Sequence, residues 1–218
     1  MTQYTFHIPP PCTEEIEVIH VDDDLLVVNK PAGLLSVPGR IVKDCVLNRL
    51  QADFPDVVIV HRLDLDTSGL LVLSLSKLAT SELNRYFRER SISKQYIAVV
   101  HGNVEQEKGE ILLPIAPDPV NRPRQLIDHE HGKAAHTRYE VIQRMPDSTR
   151  LLLTPITGRS HQLRIHLAEI GHPILGCDLY AHEEALGSAD RLLLHASSLQ
   201  FEHPSSKAQS DFVSEPAF

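Results

Sequence analysis

One segment constrains this chain most: HRLDLDTSGLLV, residues 61–72. A short polar cluster closes at Gly69 and runs directly into Leu70, Leu71, Val72 and Leu73. Small and polar residues followed by an unbroken apolar run read as a loop feeding a buried strand. Such a loop holds Asp64 at the mouth of a rigid sheet, where a carboxylate can face a substrate.

The rest of the chain is a succession of short strands. Residues 17–20 and 25–29 read as two strands separated by the acidic turn Asp22-Asp23-Asp24. Residues 43–53 suit a short helix, and residues 57–60 a strand leading into His61. After a strand over 70–75, Ser76 is placed to cap a helix over about 77–90. Leu78, Leu83, Tyr86 and Phe87 give that helix an apolar side, and Arg85, Arg88 and Arg90 lie on the other. Residues 96–100 read as a strand. Residues 114–133 hold four prolines, several basic residues and little periodicity, and read as a long, partly ordered excursion. A hairpin is expected over 138–145 and 151–156, turning at Pro146-Asp147-Ser148. Thr157-Gly158-Arg159-Ser160 is expected to cap a helix over about 161–170, closed by Gly171. Residues 192–201 supply a last strand, and the tail after Pro204 reads as weakly structured. Strands outnumber helices and follow one another without regular crossover helices. The prediction is an α+β fold with a mixed, largely antiparallel central sheet flanked by helices and loops.

Charge qualifies what such a fold can bind. The net charge of −8 speaks at first against nucleic acid. Its distribution does not: residues 1–29 hold six acidic residues and no Lys or Arg, which leaves the other 189 residues near balance. Basic residues then cluster, Arg85, Arg88, Arg90 and Lys94 in one segment and Arg122, Arg124, Lys133 and Arg138 in another. A local basic face on an acidic protein can bind phosphates; the plainer alternative is a solvated face. No apolar run reaches about 18 residues, so no spanning helix is expected. Three well-separated cysteines (Cys12, Cys45, Cys177) without a CxxC argue for a reducing, cytoplasmic setting and against a structural zinc site.

Several residues can carry chemistry. Asp64 needs a cation or several donors to stay ionised in a partly buried loop, and Arg62 and Arg164 are candidates. A structural Asp–Arg pair or an Asx-type turn is the alternative, and Asp66 can hold the turn equally well. Tyr96 is either a core tyrosine with its hydroxyl at the surface or a ring for stacking on a planar ligand. His161, His166 and His172, with His61, Asp64 and Asp66, raise a metal-dependent hydrolase, although a spacing of five suits two ligands on one helical face poorly. No Walker loop, GxGxxG or GxSxG is present.

Taken together, six segments resemble the RluA family of pseudouridine synthases along residues 17–204. They are VVNKPAGLLSVPGR (27–40), HRLDLDTSGLLV (61–72), SKQYIAVVHG (93–102), GKAAHTRYEV (132–141), PITGRSHQLRIHLAEIGHPILG (155–176) and RLLLHASSL (191–199). The PDPVNRPRQ stretch and the short length are most similar to the branch that acts on both ribosomal and transfer RNA. The resemblance implies a catalytic domain over 17–204 between a lead-in (1–16) and a tail (205–218), without the S4 RNA-binding domain of many relatives. It implies uridine isomerisation in structured RNA, 23S rRNA and tRNA anticodon stem-loops, with no cofactor, metal, membrane or obligate protein partner. Asp64 matches the family's catalytic aspartate, Tyr96 its active-site tyrosine, Arg164 the basic residue paired with the aspartate, and Arg62 the arginine that holds the target base out of its stack. Arg88, Arg122, Arg124, Lys133, Arg159, His161 and Gln162 are the expected RNA contacts, and the loops at 34–43 and 114–133 the expected readers of substrate. The alternatives are a non-catalytic RNA-binding module on the same fold and the metal-dependent hydrolase.

Overall fold

The computed structural model describes residues 8–218; the first seven residues of the expected lead-in lie outside them. In chain order the elements are β1 (Glu17–Val21), β2 (Leu25–Lys30), α1 (Val46–Leu50), β3 (Val58–Ile59), β4 (Ser68–Ser74), α2 (Lys77–Glu89), β5 (Ser93–His101), β6 (Lys108–Ile111), β7 (Ile115–Pro117) and β8 (Gln125–Ile127). There follow β9 (Thr137–Met145), β10 (Ser148–Pro155), α3 (Gln162–Glu169), α4 (Glu183–Gly187), β11 (Leu194–Glu202) and β12 (Gln209–Val213). They gather into two compact units. One is built of residues 8–94 and 195–218, the other of residues 95–194.

In the first unit the apolar run behind the HRLDLDTS loop becomes β4, and all seven of its residues are buried. A strand with no wet face needs neighbours on both edges and cover on both sides. β2 lies antiparallel on one edge, from Leu25 opposite Ser74 to Lys30 opposite Gly69. β11 lies parallel on the other, with Ala196 opposite Gly69. The approach there is close: a Cβ on Gly69 would lie 2.3 Å from the Ala196 carbonyl oxygen, and φ at Gly69 is +111°. Only glycine fits. β1 pairs with β2, β3 with β4 and β12 with β11, all antiparallel. The sheet is therefore mixed and largely antiparallel, as the succession of strands predicted.

Helix α2 covers this sheet. Ser76 caps it by accepting from the Ala79 amide at 3.1 Å, and Arg90 ends it in the left-handed conformation. Its buried stripe is Ala79, Leu83 and Tyr86, at i, i+4 and i+7. Leu78, expected on that side, is 53% exposed, because it falls one position off the stripe. Leu25, Val27, Leu70, Val72, Leu199 and Phe201 complete the core beneath.

The second unit is an antiparallel sheet in the order β5, β10, β9, β6, with the β7–β8 hairpin separate. The expected 138–156 hairpin is β9–β10, with β10 starting at Ser148. Helix α3 buries six consecutive residues, from Gln162 to Leu167. A helix hidden on every side carries almost no amphipathic signature. Ala98, Val100, Leu151, Leu153, Leu163 and Leu167 form its core.

Three readings are corrected. The tail after Pro204 is not weakly structured: Ser198 to Glu202 of β11 pair with Val213 to Gln209, because β11 offers an open edge to a short extended segment. The TGRS segment does not cap α3 through its own side chains; the N-cap position is His161, which makes no side-chain capping bond. The basic clusters are also less free than their charges suggest. Arg85 pairs with Glu82 and Glu89, and Arg138 with Glu110. Among the described residues no helix is long and apolar enough to cross a membrane.

Candidate active site

Asp64 sits on the loop between β3 and β4, half-buried, in a turn where the Thr67 amide donates to its carbonyl at 3.2 Å. The residues on either side of it are fixed by hydrogen bonds from the segment after β2. Ser36 holds Leu63 twice: its Oγ donates to the Leu63 carbonyl at 2.8 Å and accepts from the Leu63 amide at 3.1 Å. The Leu65 carbonyl accepts from the Gly33 amide at 3.0 Å and from Lys30 Nζ at 2.9 Å. Lys30 is fully buried and also donates to the carbonyls of Pro31 and Leu34 at 2.8 and 2.7 Å. Burying an ammonium is expensive unless its protons find acceptors, and three carbonyls supply them. Asp64 is thus a half-buried carboxylate on a clamped backbone.

The same loop is anchored behind Asp64. His61 stacks on Phe87 with ring centroids 4.5 Å apart, and its Nε2 accepts from the Val72 amide at 3.0 Å. An accepting Nε2 means that the neutral ring carries its proton on Nδ1. Burial, reinforced by the nearby Lys94 charge, pushes the imidazole down to about 3. Ser68 Oγ meets His195 Nδ1 at 2.9 Å. Arg62 is exposed, as are Arg88 on α2 and Arg122, Arg124 and Lys133 on the 114–133 excursion.

In the second unit Tyr96 lies half-buried on β5, opposite Leu153 of β10, and packs on the apolar core. Arg164 is 3% exposed. Its guanidinium pairs with Asp178, donates to Cys177 Sγ at 3.4 and 3.3 Å, and lies 5.6 Å from the Tyr180 ring centroid. Arg124 lies 5.4 Å from the same ring. The Tyr180 hydroxyl accepts from the Gln125 amide at 2.8 Å and meets His161 Nδ1 at 2.8 Å. Burial pushes this phenol up to about 12, so it stays protonated. His161, Arg124 and Arg164 are therefore brought together around one tyrosine.

Gln162 has a different place. It is 3% exposed, and its Oε1 accepts from Thr157 Oγ1 at 2.7 Å and from the Arg159 amide at 3.0 Å. Its Nε2 donates to the His136 carbonyl and to Thr137 Oγ1, both at 3.0 Å. The side chain is spent inside the protein, shaping the TGRS loop. Arg159 Nε donates to the Ala134 carbonyl at 3.2 Å. Several ring nitrogens that the hydrolase alternative needs already have partners inside the protein. His166 bonds Thr137 Oγ1 and the Leu113 carbonyl, and His172 Nδ1 bonds the His101 carbonyl. Among the described residues no group of three acidic, histidine or cysteine side chains is placed to hold a metal.

Reading the sequence by segments missed Lys30, Ser36, Asp178 and Tyr180. Lys30 carried a signal: a lysine inside VVNKPAGLL must either reach water or be satisfied internally. Tyr180 and Asp178 carried none, since their partners lie far away in sequence.

The family described as RNA pseudouridylate synthase matches residues 24–169. The dual-specificity RNA pseudouridine synthase RluA of Yersinia pestis is 52% identical over 204 residues, covering 92% of this chain and 99% of that protein. RluA of Escherichia coli K12 is 50% identical over 198 residues, covering 89% and 90%. Among solved structures, human RNA pseudouridylate synthase domain containing 1 superposes with a TM-score of 0.83 at 26% identity, over 97% of this chain and 87% of that one. Human RNA pseudouridylate synthase domain containing 4 gives 0.75 at 26% identity, over 92% and 89%.

Proposed function

This chain belongs to the RNA pseudouridylate synthase family, and from that footing we propose that Asp64 is the group that attacks the target uridine, in 23S ribosomal RNA and in transfer RNA stem-loops. Isomerisation breaks the bond between N1 and C1′, turns the base, and joins C5 to C1′. One proton leaves C5 and one is gained at N1, so the product has the atoms of the substrate. Asp64 acts as an anion, either adding to C1′ or removing a proton on the route to a glycal. Tyr96 stacks on the base and moves a proton. Arg164 is the basic residue of the reaction, and Arg62 helps hold the target base out of its stack.

The observation that carries this reading is the clamped turn: Ser36, Gly33 and Lys30 fix the backbone on both sides of a half-buried aspartate. A reactive group held to a fraction of an ångström loses little entropy in the transition state. Taking a uridine out of its stack costs a few kcal/mol, and less in a hairpin loop. Exposed Arg88, Arg122, Arg124 and Lys133, with Arg159 and His161, contact the RNA backbone. Gln162 contributes by shaping the loop that carries Arg159. Residues 17–204 act as the catalytic domain, in the cytoplasm, where both substrates reside.

The test is Asp64→Asn. Pseudouridine formation is lost while RNA affinity stays within several-fold; retained turnover overturns the assignment, and would equally favour a non-catalytic RNA-binding role for this loop. Mapping pseudouridine in total RNA from cells with and without the protein names the modified positions.

A further inference from the structure

Tyr180 lies outside every segment that carries the family resemblance, yet three functional candidates meet on it. Its hydroxyl is the acceptor for the Gln125 amide, 55 residues away, and the partner of His161 Nδ1, each at 2.8 Å. Its ring lies 5.4 Å from the Arg124 guanidinium and 5.6 Å from that of Arg164. Arg164 is buried and ion-paired with Asp178, whereas Arg124 is exposed. One side of the tyrosine is therefore fixed inside the protein, and the other holds a side chain that solvent or a ligand can reach.

We propose that Tyr180 is a positioning residue for RNA recognition, tying the loop that bears Arg124 to the start of α3. The proposal rests on the RNA-modifying function proposed above, and it deepens that function by assigning substrate discrimination to a tyrosine. The loop around 118–125 has little core of its own. Asp118 bonds the Val120 and Asn121 amides within the loop, and Val120 at its tip is 74% exposed. An arginine on such a loop searches many positions unless something anchors it, and each position lost on binding RNA weakens affinity. Anchoring the Gln125 amide and laying the Arg124 guanidinium against a ring removes that search. Planar cations suit a ring face better than a compact ammonium does. The consequence is specific: Arg124 contributes to RNA binding through Tyr180, so the two residues are energetically coupled.

A double-mutant cycle on the full chain tests this, with unmodified tRNA transcripts as the probe. Tyr180→Phe keeps the ring and removes the hydroxyl. It is expected to raise KM and Kd about five- to tenfold, with kcat within about twofold. Arg124→Ala alone raises KM similarly, and raises it less than twofold further when added to Tyr180→Phe. Additive effects, or an unchanged KM in Tyr180→Phe, overturn the proposal. Arg124→Lys tests the tie from the exposed side, where folding is not at stake. It keeps the charge but replaces the planar cation over the ring with a compact ammonium, and KM rises at least threefold; parity with wild type overturns the proposal. A wild-type protein that binds these transcripts without modifying any RNA would defeat the functional reading, and the coupling would still be read in Kd.

Discussion

Lys30 donates from a fully buried ammonium to the carbonyl of Leu65 at 2.9 Å, and so grips the chain one residue past Asp64. Lys30→Met fills the same space without donors, deprives the carbonyls of Pro31 and Leu34 of this partner, and leaves that of Leu65 to the Gly33 amide. An unsatisfied buried carbonyl costs about 1–3 kcal/mol. The expected outcome is a loss of roughly 2–4 kcal/mol in urea unfolding. With the turn loosened, kcat falls by more than tenfold even in variant protein that is fully folded, while KM changes less. Normal kcat in Lys30→Met would show that the clamp is not needed for turnover.

Gly69 and Ala196 make the second strict demand. Gly69→Ala drives a methyl to 2.3 Å from the Ala196 oxygen at a φ of +111°. Strands β4 and β11 must separate locally, and stability drops by about 3 kcal/mol or more. A change below about 1 kcal/mol in the denaturation midpoint would mean the parallel pair accommodates a side chain.

His61 makes stability depend on pH. Its imidazole is pushed down to about 3 in the folded protein, against 6.5 ordinarily. Below pH 6.5 the unfolded chain takes a proton that the native chain refuses, so stability is complete above 6.5 and falls as pH drops toward 3. The slope approaches about 1.4 kcal/mol per pH unit, or about 2 kcal/mol between pH 7.5 and 5. His61→Gln retains an acceptor for the Val72 amide but does not titrate, and its stability profile is flatter over that window. Burial lowers His166 as well, so a shallower slope persists in the variant. Identical profiles for the two proteins would contradict a neutral His61 in the folded protein.

Tyr96→Phe separates stacking from proton transfer. The ring remains on β5 and the hydroxyl is lost. Turnover slows by about 10²-fold or more, within the range of general acid–base contributions, while RNA affinity changes by less than about threefold. Weakened binding with normal turnover would assign the hydroxyl to recognition instead.

RNA binding weakens with salt through its phosphate contacts, each neutralised phosphate adding about 0.7 to 0.9 to the slope of log affinity against log salt. Charge-removing substitutions at exposed Arg88 and Lys133 each lower that slope, whereas removing Arg85, already paired with Glu82 and Glu89, leaves it nearly unchanged. Equal slopes for all three would undo the distinction between exposed and paired arginines.

The sequence was legible where local signals agree with the fold. The run from Leu70 to Leu73 announced β4, and Ser76 with its spaced apolar residues announced α2. Asp64 stood out as a polar residue at the head of a buried strand. What stayed hidden was set by tertiary partners. Strand β12 has a weak pattern of its own and exists because β11 has an edge to fill. Helix α4 spans five residues, too few for a periodic signal, and β6 spans four with a glycine among them. The bond from Gln125 to Tyr180 joins residues 55 apart, with no local trace in either. Gln162 was an expected RNA contact through the family resemblance alone; its four internal bonds, to partners in other segments, make it a brace.

The contact between Ser68 and His195 spans 127 positions of chain. On a ribosome adding about 5–20 residues per second, β4 therefore waits roughly 6–25 s for β11 to be synthesised. Through that interval the Ser68–Gly69 end of a fully buried, largely apolar strand lacks its partner on one edge in the nascent chain. Production of this protein is consequently sensitive to elongation rate and to chaperones that shield strand edges, a vulnerability written into its topology and not into its final stability.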